Sequence, residues 1–217
     1  MRPGAIFDMD GTLTDTERLY RRAWEVTADR WGVTLTDEFR QAMAGLPQAP
    51  ATQVIHRYYP SVSDPLQFYK DGMNWVWEEV RRHLPLRPGV REILEYFRAQ
   101  GVRMALASSS WRDMILENLK NAGLREYFDV IVSGEDVKRG KPAPDIFLLA
   151  AERLGLAPED CYVLEDSVSG ARAGVAAGCA TVMIVDLFPP TDDLKASCAA
   201  MFSTLTEALE AVRAGRL

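Results

Sequence analysis

Residues 5–12 read AIFDMDGT, an apolar run that ends in two aspartates, Asp8 and Asp10, with Gly11 directly after them. In a β-strand, residues two apart point to the same side, so both carboxylates would lie together where the strand ends. Gly11 lets the backbone turn tightly beside them. Two acidic groups at a strand end need compensation, because an uncompensated buried charge is costly. Mg²⁺ provides it, since this cation takes carboxylate and carbonyl oxygens and also binds phosphate. For an isolated pair a solvated Asx turn is the simpler explanation, so the rest of the chain must decide.

The composition is that of a soluble globular protein. The chain has 217 residues, of which 47% are hydrophobic and 26% charged, and these values are typical of globular domains. A length prior of ~150 residues per domain predicts about one to two domains. With 25 basic and 31 acidic side chains, the formal net charge is -6. This mild acidity favours neither nucleic acid nor a membrane as a partner, so an anionic substrate would need local basic groups or a metal.

The sequence also predicts a cytoplasmic location. The first strand starts within five residues of the N-terminus, which leaves no room for a signal peptide. No apolar run approaches the ~20 residues needed to cross a bilayer. The cysteines, Cys161, Cys179 and Cys198, show no CxxC or Cys/His spacing, which argues against a disulfide framework and a zinc site. The sequence does not determine the oligomeric state, and we favour a monomer.

Apolar, strand-like runs recur along the chain, and helical patterns separate them. This alternation is the sequence form of a parallel sheet built from βα units. Prolines and glycines bound several of the helical patterns: Pro88 and Gly101 enclose one, and Pro144 and Gly155 another. The predicted fold class is therefore α/β, with a doubly wound (Rossmann-like) parallel sheet as its core. The predicted strands cover residues 5–7, 102–107, 130–132, 162–164 and 181–185.

Residues 16–82 contain no convincing strand and read as helices. A βα crossover needs only about a dozen residues, so this longer stretch predicts an inserted small α-helical cap domain. The Rossmann-like core would then comprise residues 1–15 and 83–217. Thr14 and Glu17, spaced as in a capping box, predict the start of the first helix of the cap.

Polar side chains follow the predicted strands where each strand ends. Asp8 and Asp10 follow the first strand, three serines (108–110) follow the second, a basic loop (138–142) follows the third, and the run Glu-Asp-Ser (165–167) follows the fourth. In open α/β sheets, ligands bind beyond the carboxyl ends of the strands. Carboxylates, hydroxyl groups able to hold an anion, and a lysine together predict a metal-assisted phosphoryl-transfer site.

The order and the sequences of these segments resemble the motifs of the haloacid dehalogenase superfamily of phosphotransferases, in the branch with a helical cap after the first motif. The resemblance covers essentially the whole chain, and the segments that carry it are DMDGTLTDTE, ALASSS, GKPAPDIF and VLEDSVSGARAG. It implies a phosphatase that acts through an aspartyl-phosphate intermediate.

The resemblance also implies roles for the acidic residues. Asp8 would be the nucleophile that attacks phosphorus, and Asp10 the general acid/base that protonates the leaving oxygen and then activates water. The implied cofactor is Mg²⁺, held by the Asp8 carboxylate, the Asp10 backbone carbonyl and Asp166. Glu165 would support the metal indirectly or through a water molecule.

The transferring phosphoryl group has implied partners of its own. Ser108 and the N–H of Ser109 would hold it, while Lys141 would neutralise it and screen Asp8. A carboxylate is a usable nucleophile toward a phosphate dianion only when their repulsion is offset, which the lysine and Mg²⁺ provide.

Within this superfamily the sequence most resembles the beta-phosphoglucomutase-like branch. Two of that branch's cap features are changed here, with Tyr20 in place of a histidine and Gln48 in place of an arginine. Loss of that arginine removes a bidentate partner for a second phosphate, so we expect a hydrolase of small phosphorylated metabolites such as sugar phosphates. The alternative is a phosphosugar mutase of the beta-phosphoglucomutase type. Trp111, just past the serines, is either a substrate contact or a packing residue.

Two further classes fit the residues less well. A signalling receiver domain also groups aspartates, a hydroxyl residue and a lysine around Mg²⁺, but it places its phosphorylated aspartate on a middle strand and has no helical insertion. A catalytically inactive scaffold would be expected to lose Asp8 or Asp10, and both are present.

Overall fold

The computed structural model describes residues 1–43, 46, 48–82, 84–185 and 189–217, and within them the chain forms two compact units. The first unit comprises Met1–Asp15 and Pro85–Leu217, and the second comprises Thr16–Leu84. The sequence predicts the second boundary between residues 82 and 83. Residue 83 lies outside the described residues.

The first unit contains one parallel β-sheet, which confirms the predicted α/β class. Its strands lie in the order β3-β2-β1-β4-β5-β6, with every described pairing parallel. The order reverses direction between β1 and β4, which is where doubly wound sheets bind their ligands. The strands are β1 (Gly4–Phe7), β2 (Arg103–Ser108), β3 (Val130–Ser133), β4 (Cys161–Glu165), β5 (Ala180–Ile184) and β6 (Ala200–Phe202).

Strand β6 is absent from the predicted strands. This strand has three residues, all only partly buried, and it pairs with β5 alone. Such a short edge strand shows neither a continuous apolar run nor an alternation long enough to recognise. The other strands lie within a residue of the predicted runs at each end.

Helices cover the sheet in the first unit and make up the regular structure of the second. None of the helices in the described part of the chain is long and apolar enough to cross a membrane. The second unit contains α1 (Thr16–Trp31), α2 (Asp37–Met43), α3 (Gln48–Tyr58) and α4 (Pro65–Arg82). The first contains α5 (Val90–Ala99), α6 (Arg112–Ala122), α7 (Asp145–Leu154), α8 (Val168–Ala176), α9 (Asp192–Ser197) and α10 (Leu205–Arg213).

Strand β1 is the centre of the core, which is why its end can hold functional groups firmly. It pairs with β2 on one side and β4 on the other, and all of its residues are buried. The Phe7 ring lies between those of Phe97 and Phe128, with centroids 6.1 and 6.0 Å away. Burial of such rings contributes about 1.5–3 kcal/mol each to stability, so the residue before Asp8 is fixed by packing.

Thr14 does not cap α1 as predicted, and the side chain of Glu17, its predicted partner, lies outside the described part of the chain. Helix α1 begins at Thr16, and the Thr14 hydroxyl donates instead to the carbonyl oxygen of Met9 at 3.1 Å. Thr14 also forms isolated bridges with Asp10 and Leu86. The threonine therefore closes the turn that follows β1, rather than capping the helix.

The second unit has an aromatic core of its own. The Trp24 ring stacks on Phe68 with an interplanar angle of 6° and centroids 6.4 Å apart. Gly72 on α4 makes room for that ring, because an ideal Cβ at this position would overlap it. Four of the five tryptophans of the chain lie in this unit, and Trp24 is buried.

This packing predicts the effect of Gly72→Ala. The alanine gains about 1 kcal/mol of helix propensity, but overpacking against the Trp24 ring costs about 1–3 kcal/mol. We expect a net loss of stability, measured as a lower midpoint in urea denaturation. Gly140→Ala is the control, because its Cβ would have no neighbour within 4 Å. Equal midpoints for Gly72→Ala and the wild type would contradict the packing argument.

Candidate active site

The end of β1 places Asp8 in a buried position. The Asp8 N–H donates to the Leu164 carbonyl oxygen of β4 at 3.0 Å, which continues the pairing of the two strands, and the residue is 6% exposed. Gly11 turns the chain with a φ of +88°, a conformation that favours glycine. An ideal Cβ at Gly11 would also overlap the carboxylate of Asp166. Glycine is thus required here both by the turn and by its acidic neighbour.

Lys141 is the cation of this site. Its Nζ lies 2.5 Å from Asp8 Oδ1 and 2.8 Å from Glu165 Oε1, and it donates to the Ala107 carbonyl oxygen at 3.3 Å. It also lies 5.0 Å from the centre of the Phe147 ring. Burial alone would lower the pKa of Lys141, but the Asp8 and Glu165 carboxylates outweigh it and raise that pKa above its usual value. The lysine therefore stays charged at neutral pH.

Both carboxylate oxygens of Glu165 accept hydrogen bonds, Oε1 from Lys141 and Oε2 from Ser167. Its Oε2 accepts hydrogen bonds from the N–H of Ser167 at 2.7 Å and from its hydroxyl at 2.8 Å. The Ser167 hydroxyl oxygen in turn accepts from the N–H of Gly170 at 3.0 Å, which caps α8. An ideal Cβ at Gly170 would overlap the Glu165 carboxylate. This glycine therefore makes room for a functional carboxylate, whereas Gly174 one turn later faces Thr181 and Val163 of the sheet.

Asp166 is the third acidic side chain of the cluster. Its Oδ1 accepts a hydrogen bond from the Thr12 hydroxyl at 3.0 Å. Burial, together with the nearby Glu165 carboxylate, raises the pKa of Asp166 to about 7. In the absence of a cation, this carboxyl group is thus partly protonated at neutral pH.

The acidic cluster can hold a divalent cation. Carboxylate oxygens of Asp8, Glu165 and Asp166 all lie within 4.8 Å of one another. In the described part of the chain, Lys141 is the cation that pairs with this cluster, and its ion pairs are with Asp8 and Glu165. The remaining negative charge and the all-oxygen donor set fit a hard cation such as Mg²⁺.

The serine loop after β2 is tied to the aspartates. The Ser108 side-chain oxygen accepts from the N–H of Ser110 at 3.1 Å, and the Ser110 hydroxyl donates to Asp10 Oδ2 at 2.9 Å. Helix α6 begins at Arg112 after an N-cap at Trp111, whose side chain makes no capping hydrogen bond, and the Arg112 N–H donates to Glu135 Oε2 at 2.9 Å. Serine is a favoured N-cap residue, but neither Ser109 nor Ser110 takes that position here.

Most of the residues predicted for the site lie at one end of the sheet, within the first compact unit. They are Asp8, Asp10, Ser108, Ser109, Lys141, Glu165 and Asp166. Thr12, Ser110 and Ser167 also lie there and donate hydrogen bonds to these carboxylates, contacts that the sequence did not predict. All three lie inside the matching motifs, but the partners of the Thr12 and Ser110 hydroxyls are distant in sequence.

The predicted substrate residues are more scattered. Tyr20 on α1 is partly buried and Gln48 at the start of α3 is exposed, and both lie in the second unit. Trp111 lies in the first unit, 69% exposed, beside a groove of about 550 Å³ that Arg112 and Glu135 also line. Substrate contact by these residues stays a prediction.

Comparison with known proteins identifies relatives over most of the chain. The model of the haloacid dehalogenase-like hydrolase family matches residues 5–184. A phosphorylated carbohydrates phosphatase of Thermotoga maritima is 40% identical over 177 residues, covering 80% of each chain. The fructose-1-phosphate phosphatase YqaB of Escherichia coli is 35% identical over 176 residues, which cover 81% of this chain and 92% of the relative. A Thermotoga maritima crystal structure provisionally assigned as a beta-phosphoglucomutase has a TM-score of 0.84 and 33% identity, covering 98% of this chain and 99% of that one.

The raised pKa of Asp166 predicts how stability depends on pH without metal. Its value of about 7 exceeds the ordinary 3.8, so the folded protein holds this proton more tightly than the unfolded chain. The resulting stability is complete below about pH 4 and is lost as the pH rises through about 7. In EDTA, we expect Asp166→Asn to raise the Tm at about pH 8, and to raise it less at about pH 5.5, where more of the wild-type carboxyl group is protonated.

Addition of millimolar Mg²⁺ at about pH 8 should raise the Tm of the wild type more than that of Asp166→Asn, since a bound cation stabilises the folded state. Asp192→Asn, an exposed change on α9, should behave as the wild type in both tests. The same Tm difference between wild type and Asp166→Asn at both pH values would contradict the raised pKa of Asp166.

Proposed function

Because the chain belongs to the haloacid dehalogenase-like hydrolase family, we propose that it is a Mg²⁺-dependent phosphatase of small phosphorylated carbohydrates. The observation that carries this proposal is the buried lysine paired with Asp8, beside a second aspartate that is held by a neutral hydroxyl group. Two relatives of the chain, named as phosphatases of phosphorylated carbohydrates, support this substrate class.

In this proposal Asp8 is the nucleophile. One carboxylate oxygen attacks phosphorus and forms an aspartyl-phosphate, while the ester oxygen leaves. Burial raises the pKa of Asp8 well above its ordinary value, and Lys141, 2.5 Å away, opposes that rise. The lysine also offsets the repulsion between the carboxylate and the incoming phosphate. The Ser108 hydroxyl and the Ser109 N–H hold the equatorial oxygens of the phosphoryl group, at the start of the turn into α6.

Asp10 acts on protons at the same phosphorus. As the ester bond breaks, the protonated carboxyl group gives its proton to the leaving oxygen, which departs as an alcohol. The resulting carboxylate then takes a proton from the water that attacks the aspartyl-phosphate. This releases inorganic phosphate and restores both aspartates.

The Asp8 and Asp166 carboxylates and the Asp10 backbone carbonyl would hold Mg²⁺, and Glu165 would support them through Lys141 or water. When bound, the metal neutralises charge on the phosphoryl group and orients it. The chain's own residues supply the nucleophile, the proton transfers and the lysine charge.

A direct test is phosphate release from a panel of hexose phosphates, pentose phosphates and nucleotides, with Mg²⁺ or with EDTA. We expect Mg²⁺-dependent release that favours sugar phosphates. Asp8→Asn should lower kcat by at least about a thousandfold, because removal of a covalent nucleophile leaves only binding and electrostatic stabilisation. Asp192→Asn should retain full activity.

A run with beta-glucose 1-phosphate and a trace of the bisphosphate distinguishes hydrolysis from the mutase alternative. Isomerisation without phosphate release would overturn the phosphatase proposal. Turnover retained in Asp8→Asn would overturn its mechanism.

Trp111 is proposed as a contact for the carbohydrate part of the substrate. Its indole is mostly exposed next to the serine loop, and aromatic faces bury the apolar face of bound molecules. We expect Trp111→Ala to raise KM for a hexose phosphate about three- to tenfold while kcat changes little, since the lost contact is the same in the ground and transition states. Leu148→Ala, an exposed apolar change on α7, is the control. An unchanged KM would assign Trp111 to another role.

A further inference from the structure

Ser110 holds the Asp10 carboxyl group from a rigid position. Its hydroxyl donates to Asp10 Oδ2 at 2.9 Å, across 100 residues of sequence. The Ser110 backbone is fixed on both sides, because its N–H donates to the Ser108 side-chain oxygen at 3.1 Å and its carbonyl accepts from the Gly134 N–H at 3.4 Å. A hydroxyl group on such a tethered backbone fixes its partner more closely than one on a free loop.

We propose that Ser110 is a positioning residue, which sets the orientation of the Asp10 carboxyl group for proton transfer to the leaving oxygen. This inference rests on the acid/base role given to Asp10 in the proposed function. Ser110 forms no covalent bond in the reaction and keeps its own proton throughout.

The hydrogen-bond partners of Asp8 and Asp10 support different roles for the two aspartates. Asp8 contacts an ammonium group, which can only donate hydrogen bonds and so favours the carboxylate over the carboxylic acid. Asp10 contacts a hydroxyl group, which can donate to a carboxylate and accept from a carboxylic acid. The contact with Ser110 can therefore persist before and after the proton leaves, whereas a lysine at this place could not accept.

The step that Ser110 supports is the first phosphoryl transfer. A bond forms between an Asp8 oxygen and phosphorus, and the bond from phosphorus to the ester oxygen breaks. The electron pair of that bond goes to the ester oxygen, which takes the proton of Asp10 and leaves as the alcohol. A misdirected Asp10 would slow this step only when the leaving oxygen needs the proton.

The test compares kcat/KM for a hexose phosphate and for 4-nitrophenyl phosphate, whose leaving group departs without a proton. The ratio kcat/KM reports the steps up to departure of the alcohol, so later hydrolysis of the aspartyl-phosphate does not enter. Since general acid catalysis supplies about 10²–10⁴-fold, we expect Ser110→Ala to lower kcat/KM at least about tenfold for the hexose phosphate and less than about threefold for 4-nitrophenyl phosphate. Ser110→Thr, which keeps the hydroxyl group, should restore most of the loss.

Both substrates are measured on one preparation of each variant, so the folded fraction cancels from their ratio. Ser197→Ala, which removes an exposed hydroxyl on α9, should leave the ratio at the wild-type value. An equal loss on both substrates in Ser110→Ala, or no rescue by threonine, would overturn the positioning role while leaving the proposed function intact. Absence of Mg²⁺-dependent hydrolysis by the wild type would overturn the proposed function and this inference with it.

Discussion

The ammonium group of Lys141, buried between the carboxylates of Asp8 and Glu165, is the interaction on which the rest of the site depends. The side chain is 6% exposed, so its lost hydration must be offset by these partners. Removal of one member of such a buried pair typically costs about 3–5 kcal/mol, because the other charge is left without compensation. The lysine follows β3, Asp8 follows β1 and Glu165 ends β4, and the sheet order brings these strand ends to one edge. The electrostatic balance of the site is thus a consequence of the topology.

Asp8 and Asp10, only two residues apart, have different partners and therefore different electrostatic surroundings. Asp8 and Asp10 both follow the end of β1, yet each meets a different element. Asp8 faces the loop after β3, which supplies a charge, and Asp10 faces the loop after β2, which supplies a hydroxyl group. Gly11 then brings Asp166 close by leaving room for its carboxylate. Different chemistry at neighbouring positions therefore comes from long-range contacts and not from the motif alone.

The predicted fold class and family are both confirmed. They were predictable because the informative residues follow strand ends, and strand ends converge in a doubly wound sheet. What could not be predicted depends on details that a local pattern does not contain. Strand β6 is too short to show a period, and the Thr14 hydroxyl turns back to Met9 instead of capping α1. Serine is a favoured helix N-cap residue, whereas the Ser110 hydroxyl bonds to Asp10, 100 residues away. For Tyr20 and Gln48, a single sequence carries no signal that would identify a ligand.

The most direct test of this account is to find which aspartate carries the phosphoryl group during turnover. The protein would be mixed with a hexose phosphate and Mg²⁺, quenched in acid within the first turnover, digested, and mapped by mass spectrometry. With Asp8, the partner of Lys141, as the proposed nucleophile, we expect a phosphate adduct on Asp8 and an unmodified Asp10. An adduct on Asp10, or hydrolysis in single-turnover conditions with no adduct on either residue, would contradict it.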